Sequence, residues 1–287
     1  MNKKIEKELN TGLDNPINNN TNTAVSPQCE QVDKENIPYC EVCHEPLIKF
    51  LDKPIGDVKY HPRNCKCKRE ELEREAKREE LEKHRKIVEE NTRNCFSQYS
   101  MKEWNFSNDT EDNDLLFFKD YVSHWEEMKE KNAGLIITGE VGVGKSFTAA
   151  CIANELLEQE VRVKMTNFGT ILDDLYKEVD KTEYIKALCR YDLLIIDDLS
   201  TERDTPFALE CIFKVVDERC KQNKPLIITT NLPVEEIRNA KRIDHQRIYD
   251  RILLMCIPTE MKGENLRIKK RKEKIKYVEG LHLGERT

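Results

Sequence analysis

GLIITGEVGVGKSFTAACIANELLEQE, residues 134–160, decides how this chain is read. An apolar run ends at Gly139, a glycine-rich loop follows, and a helical stretch begins near Lys145. The loop is Gly139-Glu140-Val141-Gly142-Val143-Gly144-Lys145-Ser146, followed by Phe147. It fits G-x-x-x-x-G-K-S in the context that this pattern needs, after a strand and before a helix. Glycines let backbone N–H groups close around phosphate oxygens, and the lysine reaches the β and γ phosphates. The Ser146 hydroxyl is a ligand for Mg²⁺, and the helix N-terminus adds a favourable dipole. Gly139 to Phe147 are therefore the expected contacts for a nucleoside triphosphate. A chance match is a poor account, because the chain has only 10 glycines in 287 residues.

Outward from the loop, short apolar runs alternate with helical ones. VRVKMT, YDLLIIDD and KPLIITTN read as strands; FGTILDDLYKEVD, PFALECIFKVVDERC and DHQRIYDRILLMC read as helices, as does LLFFKDYVSHWEEM upstream. Continuous apolar strands between helices predict an α/β domain whose parallel sheet is covered on both faces. Open sheets of this kind bind ligands at the carboxyl ends of their strands. Asp197 and Asp198 stand at such an end, the first placed to hold Mg²⁺ and the second to orient and activate water. Asn231 ends the next strand and can meet the γ-phosphate or orient water, with Thr230 a weaker candidate. Arg247 and Arg251 lie four apart on one helix face. Either can present positive charge to a neighbouring subunit's nucleotide, or simply pair with Asp244 or Asp250. Arg267 is a further in-cis candidate.

The remaining chain is polar. Hydrophobic residues make up 38% of it and charged residues 36%, so part of it should be arm or linker. The expected division is a flexible arm over 1–36, a metal module over 37–67, a charged helical linker over 68–114, and one large domain over 115–287. Cys40-x-x-Cys43 and Cys65-x-Cys67 supply four thiolates, enough for a closed structural Zn²⁺ site. His44 and His61 are alternative ligands; Cys29 and Cys95 read as free. Lys49, Lys53, Lys59, Tyr60 and Arg63, with Phe50 and Tyr39, suit a weak nucleic-acid patch or a protein-docking surface equally well. The net charge of -6 excludes a uniformly basic coat protein but hides a basic strip. Arg267, Lys269, Lys270, Arg271, Lys272, Lys274 and Lys276 are opposed there only by Glu273. No apolar run approaches about 18 residues, so no transmembrane helix is expected. The N-terminus lacks a secretory core. With eleven cysteines in no disulfide-like pattern, a reducing cytoplasm is the expected location.

Six passages occur in one order: YCEVCHEPLIKF, HPRNCKCKRE, GEVGVGKSFTAACIANEL, YDLLIIDDLSTE, PLIITTNLP and RIYDRI. Together they resemble the bacterial replicative-helicase loaders of the DnaC and DnaI kind, within the wider group that includes the IstB transposition helpers. The resemblance implies an AAA+ P-loop ATPase fold behind a zinc module and charged linker. It makes Lys145 and Ser146 the ATP and Mg²⁺ contacts, Asp197 and Asp198 the metal and catalytic-acid pair, and Asn231 the first sensor. Arg251, or else Arg247, becomes the finger toward a neighbour's ATP, and Arg267 falls in a second-sensor region. Asp198 stands where glutamate is more usual, which bears on turnover more than on binding. The implied activity is ATP hydrolysis coupled to loading a hexameric replicative helicase on single-stranded DNA, with ATP-linked self-association. Two other readings stay open: an IstB-like transposition helper, and a zinc-containing ATP-binding adaptor with little hydrolysis.

Overall fold

The apolar runs become strands in the computed structural model, which describes residues 36–55, 58–96, 99–106, 113–199 and 205–280. The expected arm over 1–36 lies outside them but for Asn36, as does Cys29. The chain divides into two compact units, Met1–Ala76 and Lys77–Thr287.

In the first unit, β1 (Ile48–Ile55) pairs antiparallel with β2 (Val58–Pro62), aligning Phe50 with Tyr60 and Lys49 with His61. The Phe50 and Tyr60 rings meet edge to face at 6.1 Å, a favoured cross-strand arrangement. This hairpin sits between the two cysteine pairs, where the sequence pattern gives no strand signal. The helix α1 (Lys66–Cys95) begins here. Pairs such as Lys68–Glu71 (2.8 Å) and Glu82–Lys86 (3.0 Å) join its turns, and being exposed to water they steady it only weakly.

In the second unit, Cys95, Phe96 and Phe106 enter the hydrophobic core. The end of the charged stretch is therefore part of the large domain. The expected single helix LLFFKDYVSHWEEM is broken at His124 into α2 (Asn113–Ser123) and α3 (Trp125–Glu130). Next come β3 (Gly134–Thr138), α4 (Lys145–Leu157), β4 (Val163–Thr166), α5 (Phe168–Lys177) and α6 (Lys181–Cys189). After these come β5 (Leu193–Ile196), α7 (Pro206–Lys221), β6 (Leu226–Thr229), α8 (Val234–Arg238) and α9 (Ile243–Met255). The last elements are β7 (Cys256–Glu260) and α10 (Leu266–Gly280). Asn167, Asp180 and Thr205 cap α5, α6 and α7, each accepting from backbone N–H groups of the first turn.

The sheet order is β4-β5-β6-β3-β7, with every neighbouring pair parallel. Alternation along the strands sorts the side chains between two layers. Leu135, Ile137, Leu193, Ile195 and Ile227 pack with α2, α3 and α4, while Ile136, Leu194, Ile196, Leu226 and Ile228 pack with α5, α6, α7 and α9. Both faces are thus covered, as the unbroken apolar runs require. The edge strand β7 begins where the sequence pattern predicts the tail of a helix. Its Pro258 is tolerated because an edge strand need not donate on both sides. The basic strip, expected as a tail, is the helix α10. Among the described residues, no helix is long and apolar enough to cross a membrane.

Candidate functional site

β6 lies between β3 and β5, so three chain reversals meet at one end of the sheet. The loop after β3 carries Lys145, the turn after β5 carries Asp197 and Asp198, and the turn after β6 carries Asn231. A cavity of about 710 Å³ opens there, lined among others by Gly142, Gly144, Lys145, Ser146, Phe147, Asp197, Asp198, Asn231 and Arg267. That volume suits a nucleotide-sized ligand.

Lys145 Nζ donates to Gly139 O (2.9 Å), Glu140 O (2.8 Å) and Asn231 Oδ1 (2.6 Å). Burial pulls its pKa below the ordinary lysine value, while the carboxylates of Asp198 and Asp197 push it back up. The N-cap position of α4 is Gly144, whose φ is 108°, and no side chain caps the helix. Its first backbone N–H groups therefore remain donors for an anion.

The turn after β5 shows how two consecutive aspartates serve one cavity. In a continuing strand they would face opposite sides. Asp198 instead takes φ 59°, a left-handed conformation that Asp adopts more readily than most residues. The turn is fixed by Thr229, which is 1% exposed. Its hydroxyl donates to Asp197 Oδ1 at 2.6 Å and accepts from the Asp198 N–H at 2.8 Å. The sequence offers Thr230 as a weaker candidate beside Asn231 and does not single out Thr229. Thr230 is buried and fastens backbone instead, donating to Leu199 O and accepting from the Leu232 N–H. The signal for Thr229 is present in LIITTN, where a polar residue ends a buried strand. Thr229→Val keeps the shape and removes both bonds. It should lower ATP turnover about 10- to 100-fold while nucleotide affinity changes little; phosphate-release kinetics beside equilibrium binding will check this.

Two loop glycines have a reason beyond wrapping phosphate. Gly142 has φ 90°, and a Cβ there would lie 2.2 Å from Asn265 Oδ1; at Gly139 (φ 143°) it would lie 2.3 Å from Met261 O. The segment leading into α10 presses on the loop from outside. Asn265 Nδ2 donates to Val141 O at 2.8 Å, and the Leu266 N–H donates to Gly142 O at 2.9 Å. Asn265 Oδ1 also accepts from the Arg267 and Ile268 N–H groups, at 3.0 and 3.2 Å, capping α10. Arg267, Lys269 and Glu273 of that helix reach the cavity.

In the first unit, Cys40, Cys43, Cys65 and Cys67 bring their sulfurs within 4.8 Å of one another. Cys67 Sγ lies 3.4 Å from Cys40, 3.1 Å from Cys65 and 3.6 Å from Cys43. Sulfurs around a tetrahedral Zn²⁺, each about 2.3 Å from the metal, would be separated by roughly 3.8 Å, so the quartet fits such an ion. Backbone N–H groups of Cys67 and Glu45 hold the Cys43 thiol down at about 6. Hydrogen bonds to Cys65, Cys40 and Cys43 push Cys67 up to about 12. These opposed shifts arise because the thiols share hydrogen bonds with one another, and a bound cation would take the place of the shared protons. Neither His44 nor His61 joins the quartet; His61 Nδ1 lies 3.0 Å from Pro62 O. Arg63 pairs with Glu45 at 3.3 Å. Cys95 is free and fully buried, and burial pushes its thiol up to about 12.

A family model described as IstB-like ATP binding protein matches residues 65–274. The chain belongs to the IstB-like family. The replicative helicase loader DnaI of Bacillus subtilis (strain 168) is 28% identical over 161 residues, covering 52% of this chain and 51% of DnaI. The replicative helicase loader DnaC of Escherichia coli (strain K12) is 28% identical over 134 residues, covering 45% of this chain and 54% of DnaC. The chain thus spans about half the length of these relatives. A crystal structure of DnaI matches with a TM-score of 0.51 at 23% identity, covering 60% of this chain and 94% of the other. That is a likeness of fold, and the α/β arrangement with a parallel sheet between helices, expected from the sequence, is the one found.

The residues matched by the IstB-like model include every nucleotide-site candidate, but the cavity does not gather them all. Val141, Gly142, Gly144, Lys145, Ser146, Phe147, Asp197, Asp198, Asn231 and Arg267 line it. Gly139 and Glu140 contribute carbonyls to Lys145, and Val143 is buried in the core beneath. Arg247 and Arg251 are elsewhere, both stacked on Phe213 with guanidinium carbons 4.5 and 4.6 Å from its ring centre. The carboxylate that holds Arg251 is Asp217 on α7, at 2.7 Å, and not Asp244 or Asp250, the alternative partners weighed from the sequence.

Proposed function

We propose that this chain is an ATP-hydrolysing loader that places a replicative helicase on single-stranded DNA. The observation that carries this is the meeting of Lys145, Asp197, Asp198 and Asn231 at one cavity, in a chain whose relatives include DnaI and DnaC. Bound ATP supplies the γ-phosphoryl group. Lys145 and the loop N–H groups hold the phosphates, Ser146 and Asp197 hold Mg²⁺, Asp198 orients and deprotonates water, and Asn231 senses the γ-phosphate. Arg267 adds charge from the same chain. Arg251, outside its own cavity, serves a neighbouring subunit, with Arg247 the second choice. The four cysteines hold Zn²⁺ in a module that docks the helicase, and the basic face of α10 meets single-stranded DNA by phosphate contact.

The test combines the purified protein with its cognate hexameric helicase, circular single-stranded DNA and ATP. Helicase retained on DNA should rise with loader and ATP, with release of ADP and phosphate. Removing zinc with a zinc-selective chelator, with Mg²⁺ kept in excess, should cut helicase capture and leave basal ATP hydrolysis. Failure both to bind the helicase and to change its DNA loading would sink the proposal. ATP-dependent remodelling of duplex DNA for a transposase, with no effect on a helicase, would favour the IstB-type helper instead.

A further inference from the structure

The cavity has an aromatic wall for which phosphate binding provides no use. Trp104 lies on it, its ring centre 5.6 Å from that of Phe147 and the two planes tilted by 46°. Trp104 is half-buried, whereas the chain's other tryptophan, Trp125, is 1% exposed. Trp104 comes from the segment before α2, distant in sequence from the phosphate loop. Its placement depends on Asn154 of α4. Both contacts of that residue's amide nitrogen go to this segment, donating to Met101 O at 2.8 Å and Trp104 O at 2.7 Å. Met101 packs against the core beside it. Since α4 also begins with Lys145 and carries Phe147, one helix fixes the phosphate lysine and both aromatic rings.

A nucleotide is anionic at one end and a flat, weakly polar ring at the other. Lys145, Ser146 and Asp197 specify where the anionic end belongs. Every base presents a π face, and stacking on an aromatic side chain is favourable whatever the base's hydrogen-bonding edge. We infer that Trp104, seated by Asn154 and braced by Phe147, is the stacking platform for the nucleobase. Trp104 is then a binding residue, and Asn154 a positioning residue that acts through it. The inference rests on the reading of this cavity as a nucleotide site.

The experiment titrates the full chain with ATP and, separately, with inorganic tripolyphosphate, which has the anionic end and no base. Calorimetry gives affinities, and intrinsic fluorescence reports the tryptophan environment. ATP should change the emission of the wild-type chain saturably and tripolyphosphate should not, because Trp125 is shut in the core. Trp104→Ala should weaken ATP binding about tenfold and leave tripolyphosphate binding unchanged. Trp104→Phe should restore most of the ATP affinity, which separates stacking from a general loosening of the fold. Unaltered ATP affinity in Trp104→Ala overturns the platform, as does an equal loss for both ligands that phenylalanine does not rescue. Binding of neither ligand by the wild-type chain overturns the nucleotide reading itself. Binding of tripolyphosphate with ATP no tighter removes the base subsite alone.

Discussion

Lys145→Ala is expected to reduce ATP turnover by about 100- to 1000-fold, the loss of about 2.7–4 kcal/mol that follows removal of one preorganised donor. The Lys145 ammonium has three acceptors, and no other lysine or arginine among the described residues bonds to Gly139 O, Glu140 O or Asn231 Oδ1. Alanine removes the charge aimed at the phosphates and also the link between the loop and Asn231. Asp198→Asn makes the informative partner variant. Asparagine accepts the left-handed turn at this position, and the backbone N–H bond to Thr229 survives. It should therefore bind nucleotide about as well as the parent while turning it over far more slowly. Phosphate release and equilibrium nucleotide binding, measured on both variants, separate the two effects. Helicase loading lost in both indicates a hydrolytic cycle. Loading lost only in Lys145→Ala indicates a binding switch, and equal turnover by Lys145→Ala and the parent would remove this lysine from the chemistry.

The second large effect is structural. Arg219→Met should destabilise the chain by about 3–5 kcal/mol, as loss of a buried, fully bonded charged group does. Arg219 is 0% exposed at the end of α7. Its guanidinium donates to the carbonyls of Cys189 (2.8 Å), Tyr191 (2.6 Å), Asp192 (2.8 Å) and Pro225 (2.5 and 3.1 Å). These carbonyls belong to the turn between α6 and β5 and the turn between α7 and β6. One side chain thus closes the end of the sheet remote in chain position from the phosphate loop. Burial draws its pKa down to about 10, which still leaves it charged at neutral pH. Methionine fills much of the space but leaves four carbonyl groups short of a donor. Total stability of a domain is only about 5–15 kcal/mol, so the variant should melt about 10 °C or more below the parent. A thermal or urea melt matching the parent would show that the buried guanidinium is not holding these turns.

These two residues mark what could be read from the sequence and what could not. Lys145 stands in a local pattern whose flanking strand and helix are themselves local, so its place at the cavity was legible. Asp197, Asp198 and Asn231 were legible as ends of apolar strands, because a short, continuous apolar run between helices has to be buried on both faces. Arg219 lies in DERCK at a helix C-terminus, where a cation ordinarily faces solvent and answers the helix dipole; only the turns folded over it reveal its role. Thr229 depended on which of two adjacent threonines the twist of β6 turns toward Asp197. The strand β7 was hidden by Pro258, since proline argues against a strand until its place at an edge is known. Trp104 reached the cavity through Asn154, fifty residues later in the chain, and no periodicity connects the two.

The grip of Asn265 and Leu266 on the phosphate loop has an electrical side. A trans peptide unit points its C=O and its N–H in opposite directions. The oxygens of Val141 and Gly142 are turned to Asn265 and Leu266, so the N–H groups of Gly142 and Val143, in the same two peptide planes, point the other way. An anion taken up by those N–H groups polarises the planes and makes their oxygens stronger acceptors, since linked hydrogen bonds reinforce one another. An anion at those N–H groups would thus tighten the hold on the root of the basic helix with no change of backbone shape, only a redistribution of electrons across two amides.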